Sequence, residues 1–84
     1  MEIQVLKKEK DLLEIKLDNL TIAEVLRVYL HETGANFAAW QREHPTKPVK
    51  LRVEPAKDKS VEKQLKEAIA EIKKELTQIE KLLK

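Results

Sequence analysis

Two histidines, His31 and His44, a lone serine, Ser60, and carboxylates along the C-terminal third are the residues of this chain whose types could do chemistry. With no cysteine present, a metal site would need Asp or Glu ligands brought to the histidines from elsewhere, and a thiolate nucleophile or a disulfide framework is excluded. His44 precedes Pro45 and reads as a turn residue whose ring hydrogen-bonds the backbone. Ser60 stands where a helix begins, so its oxygen is used as a cap and a serine triad has no nucleophile. Gly34 is the only glycine, which excludes glycine-rich phosphate cradles. The carboxylates cluster on a helix surface, where water keeps them ionised. Trp40 and Tyr29, beside Arg42 and Arg52, are the types that stack on bases, but a stacking platform needs several exposed rings on a basic surface, so packing is the reading here. No catalytic residue, cofactor or metal is expected, and the chain reads as a non-enzyme.

What remains is the scaffold. The chain has 84 residues, of which 42% are hydrophobic and 38% charged, too patterned for disorder and large enough for one domain spanning 1–84. A domain of this size buries little more than about 60% of its unfolded surface, so its own core is thin. Seventeen basic and 15 acidic residues are interspersed, giving a net charge of +2 and no concentrated field for phosphate. Nucleic acid is not an expected direct ligand. The N-terminus lacks a basic region followed by an apolar run, and no stretch of eighteen apolar residues occurs, so no membrane contact and a cytoplasmic location are expected.

Residues 3–6 and 13–17 alternate apolar with polar side chains on either side of the charged run Lys7 to Asp11, which predicts a hairpin. Thr21 followed by Glu24 fits a capping box and predicts a helix of about thirteen residues that Gly34 ends. Phe37, Ala39 and Gln41 alternate with Ala38, Trp40 and Arg42, and Val49, Leu51 and Val53 with Lys50, Arg52 and Glu54, so a second hairpin follows. After Pro55, Ser60 caps a helix free of glycine and proline that can run to the C-terminus. The expected class is α+β, in the order ββαββα, with a four-stranded sheet, one medium helix and one long C-terminal helix. At about 1.5 Å per residue, some 25 residues give roughly 37 Å, whereas a compact chain of this length is roughly 30 Å across. The last helix should overhang its own domain.

Both helices carry apolar surface in excess. Leu65, Ile69, Ile72, Leu76, Ile79 and Leu83 recur at alternating intervals of four and three, a heptad seam that packs along another helix at a shallow angle. Ile22, Val25, Leu26, Tyr29 and Leu30 form a broad face on the first helix, wider than one sheet needs. The exposed charges between the seam residues suggest weak intrahelical ion pairs such as Glu62 with Lys66. Thin core, overhang and seam together ask for a helical partner.

Two blocks resemble the small alpha-like subunit of multisubunit RNA polymerase, the family of archaeal subunit L. In the first, Thr21, Ile22, Val25, Leu26 and Arg27 match its helix. In the second, Phe37, Ala38, Ala39, Trp40, His44 and Pro45 match its phenylalanine, small pair, aromatic and histidine-proline. Leu20 and Glu24 depart from a histidine and an asparagine common there. The resemblance covers essentially the whole chain and implies the alpha-like dimerisation fold and a non-catalytic role. The chain would pair with the larger alpha-like polymerase subunit and through it scaffold the large catalytic subunits. The implied interface is Ile22, Val25, Leu26, Tyr29 and Leu30 with Leu65, Ile69, Ile72, Leu76 and Ile79, and Arg27 is the candidate polar contact to a large subunit. The alternative is a free-standing homodimer, an accessory module or weak nucleic-acid binder that uses the same fold.

Overall fold

The structure, a computed structural model, describes residues 2–83. Its elements are β1 (Ile3–Glu9), β2 (Leu12–Leu17), α1 (Leu20–Glu32), β3 (Phe37–Gln41), β4 (Val49–Glu54) and α2 (Val61–Leu82), the order that the alternating patterns and caps predict. All strand pairs are antiparallel in one sheet ordered β1-β2-β4-β3, so the two hairpins join through β2 and β4. The first hairpin is longer than the sequence suggests. β1 continues through the charged run to Glu9, with a bulge between Val5 and Lys7 that restores pairing and a tight turn at Lys10 and Asp11.

Period two decides the core. Leu13, Ile15 and Leu17 of β2, Val49, Leu51 and Val53 of β4 and Ala38 of β3 point to the helical side and are buried, together with Ala23 and Leu30 of α1 and Val61 and Ala68 of α2. The intervening side chains, among them Glu14, Lys50 and Arg52, face water on the other side, where Glu14 lies 3.5 Å from Arg52 and 3.8 Å from Lys50.

The start of α1 differs from the capping-box expectation. Asn19, not Thr21, is the cap: its side-chain oxygen accepts from Ile22 N at 3.0 Å, and the helix begins two residues earlier than predicted. Both residues are good caps, and the asparagine acts first along the chain. At the other end Gly34 takes φ 94°, Gly34 N donates to His31 O and Ala35 N donates to Leu30 O. This pair of bonds is the Schellman termination, and it needs the left-handed glycine. α2 starts at Ser60, whose oxygen accepts from Lys63 N at 3.2 Å.

The radius of gyration is 13.6 Å, above the value of about 12 Å for a compact chain of this length, and the Cα extents are 41 × 36 × 16 Å. The excess is the helix. From Lys73 to Leu83 every residue of α2 and its cap is exposed.

Candidate subunit interface

α2 divides its faces unevenly between its own domain and water. Val61, Gln64 and Ala68, spaced three and then four residues apart, are the buried stripe that seats the first half of the helix. The heptad seam lies beside that stripe. Leu65 packs partly on the core and Ile72 is half-buried, whereas Ile69 is 37% exposed and Leu76 and Ile79 are each 54% exposed. The seam thus leans on the domain's own core only at its near end. Its far half is bare, because the residues that seat α2 end at Ala68.

On α1 the predicted face separates into two parts. Leu30 is fully buried in the domain's own core, so it presents no surface to a partner and is not an interface residue. Ile22, Val25, Leu26 and Tyr29 remain partly exposed and lie on the side where a partner could reach them. Arg27 is occupied within the chain: its guanidinium pairs with Glu24 three residues earlier, and Glu24 also accepts from Trp40 Nε1 at 3.3 Å. These hydrogen bonds from Arg27 and Trp40 hold the Glu24 carboxyl below its usual range. Glu24 thus fixes the Trp40 ring against α1 instead of capping the helix. The Glu62–Lys66 pair is not formed. On α2 the salt bridge joins Glu67 to Lys59 before the helix.

The sheet contributes a surface that its alternation does not reveal. Ile3 and Val5 stand opposite Leu17 and Ile15 and share their side of the sheet, yet they are 54% and 57% exposed. The helices cover β2, β4 and β3 and stop short of β1. Between β1 and the helices lies an apolar groove of about 410 Å³, with Ile3 and Val5 on one wall, Leu65 and Ile69 on the other, and Leu26 among its lining. The groove is continuous with the exposed seam and rimmed by Lys8, Glu62 and Lys66. Apolar surface left open to water and rimmed by charge makes this groove a candidate docking site. Among the described residues no cluster of three or more His, Cys, Asp or Glu is placed to hold a metal ion, and no helix is long and apolar enough to cross a membrane.

A polar contact also joins the two helices on their exposed side. The Tyr29 hydroxyl donates to the Glu75 carboxylate, tying the last part of α1 to the fourth turn of α2. That hydrogen bond, with burial and the charge of Glu75, pushes the phenol up to about 12. Because the folded value is raised above the ordinary 10, the contribution to stability is complete below pH 10 and is lost as pH rises from 10 through about 12. Tyr29 is the only tyrosine, so an ultraviolet titration reads it alone. The expected midpoint is about 12 in the native chain and falls toward 10 in Glu75→Ala.

No family model matches the sequence, and no curated protein is similar enough to match. Solved structures do match. The crystal structure of DNA-directed RNA polymerase subunit L from Thermoplasma acidophilum is similar to this chain with a TM-score of 0.78 at 16% sequence identity, covering 98% of this chain and 84% of that one. At this identity the likeness establishes the fold: the ββαββα arrangement of one antiparallel sheet and two helices is that of the polymerase subunit.

Proposed function

We propose that this chain is a non-catalytic assembly subunit of a DNA-directed RNA polymerase, of the archaeal subunit L type. It pairs with the larger alpha-like subunit, and the pair scaffolds the large catalytic subunits, which carry the polymerisation chemistry. The single observation that carries the reading is the bare seam of α2, continuous with the groove beside β1, in a chain whose fold matches a polymerase subunit L. A helix of the larger alpha-like subunit laid in that groove would cover Ile3, Val5, Leu65 and Ile69 together, and a second contact would continue over Leu76 and Ile79. Ile22, Val25, Leu26 and Tyr29 complete the interface from α1. Arg27 and Glu24 form its polar edge, where a large subunit can compete for the guanidinium.

Affinity purification from native extract tests the proposal. The chain should elute with polymerase subunits in one-to-one ratio with the larger alpha-like subunit, and elution alone or as a homodimer would favour the accessory reading. Without its partner, the isolated chain should self-associate at micromolar concentration, since the seam has no other cover. Sedimentation velocity checks this, and a stable, monodisperse monomer would count against an uncovered interface.

A further inference from the structure

The sheet face turned away from the helices carries a row that crosses all four strands in direct register: Gln4, Lys16, Lys50 and Gln41. Lys16 and Lys50 stand opposite each other on neighbouring strands, where like charges repel. The adjacent row is built the other way, with Glu14 between Lys7 and Arg52. Ion pairing on this face centres on Glu14, which lies 3.5 Å from Arg52 and, across the rows, 3.8 Å from Lys50, so Lys50 is partly compensated. Among the described residues Lys16 takes part in no ion pair. Lys47 joins the two lysines at a depression of about 180 Å³ whose lining also includes Gln41 and Glu43. Its loop is held in place, because Arg42 Nε donates to Lys47 O at 3.0 Å and Thr46 N donates to His44 Nδ1 at 3.3 Å. Three lysines against one glutamate leave a surplus of two positive charges, equal to the net charge of the whole chain, so the rest of the molecule is balanced.

We propose that this row is a second docking site, for an acidic protein segment whose Asp and Glu side chains reach the ammonium groups of Lys16, Lys47 and Lys50 and the amides of Gln4 and Gln41. The repulsion between Lys16 and Lys50 is relieved when a carboxylate lies between them. Nucleic acid fits less well. Three point charges engage few phosphates, and although Phe37 and Trp40 line a neighbouring depression with Lys50 and Arg52, Trp40 is held by Glu24 and Phe37 sits two rows away beside Glu54, so a strand of bases meets one exposed ring and not a series. The site lies on the opposite side of the sheet from α1 and α2, so it can be filled while the helices hold their own partner. It does not depend on the polymerase reading.

A fluorescein-labelled hexaglutamate peptide, followed by anisotropy at low ionic strength, is the probe. The native chain should bind it, and binding should weaken as salt is added. Lys16→Glu should reduce peptide affinity at least about tenfold and at the same time raise the melting temperature by about 2–5 °C, because the cross-strand repulsion becomes an attraction. Lys73→Glu, the same charge change on α2, should leave affinity within about twofold. Absence of binding by the native chain, an unchanged affinity or a lowered melting temperature in Lys16→Glu, or an equal loss in Lys73→Glu overturns the proposal. Tighter binding of a single-stranded oligonucleotide of equal charge overturns it in favour of nucleic acid.

Discussion

On the proposed pairing, replacing Leu76 and Ile79 together with aspartate will abolish capture of the larger alpha-like subunit while leaving the chain folded. Both side chains are 54% exposed and lie beyond the residues that seat α2 on its domain, so the change costs the free chain little. In a complex they would sit in a desolvated seam, where truncating an anchor typically costs about 2 kcal/mol or more and an unpaired charge costs further. The expected loss is at least about 4 kcal/mol, roughly a thousandfold in Kd. Lys74→Ala, an exposed charge on the neighbouring turn, should change binding by less than about 1 kcal/mol, because exposed charges contribute little. Calorimetry with the purified larger alpha-like subunit measures both, and circular dichroism checks folding. An unchanged affinity in the aspartate variant would remove α2 from the interface.

Gln64→Leu will destabilise the domain by about 2–4 kcal/mol, although it exchanges a polar side chain for an apolar one of similar size in a buried position. Gln64 is fully buried and its amide bonds in two directions. Its oxygen accepts from Ala56 N at 3.1 Å, and its nitrogen donates to Thr33 O and Thr33 Oγ1, each at 3.1 Å. One side chain thus joins the end of α1, the link after β4 and the first turn of α2. Leucine leaves Ala56 N without its partner and Thr33 O with only the long 3.5 Å contact to Lys59 Nζ. For a domain of this size the melting temperature should fall by about 10–20 °C. Thermal denaturation decides it, and a shift under about 3 °C would mean that water replaces the amide and that the packing of Val61, Leu65 and Ala68 suffices to anchor α2.

The order and type of the elements are legible in the sequence because each follows from a local period: two in the strands, three and four in the helices, with Gly34 and Ser60 as punctuation. The start of α1 is not, because two competent caps, Asn19 and Thr21, are separated by one residue, and sequence offers no measure of which the chain uses first. Glu24 then loses its expected role and gains one that depends on Trp40, a residue on another element. The seam of α2 is visible as a pattern, and its overhang follows from length. The seat of α2 is hidden, because Gln64 reads as part of a polar face and Ala68 as a neutral helix former, whereas tertiary packing makes them the buried stripe. Leu30 differs from its expected place for a related reason: a broad apolar face does not say which part of it the domain keeps for itself. The groove beside β1 is hidden as well. Alternation tells that Ile3 and Val5 share a side with Ile15 and Leu17, but only the positions of the helices tell that nothing lies over them.

The strand order has a consequence for how the chain is made. The centre of the sheet is the pairing of β2 with β4, from Leu17 opposite Val49 to Leu13 opposite Val53, and the turn after β1 is fastened to the last helix by Val61 N donating to Lys10 O at 2.8 Å. During synthesis the first hairpin emerges early but has neither its neighbouring strand nor its covering helix until most of the chain has followed. Until then its apolar side, Leu13, Ile15 and Leu17, is open to the ribosome surface and to chaperones. Contacts this distant in sequence form slowly, so nascent chains should remain protease-sensitive in the first hairpin until α2 has been released, and then close in one step.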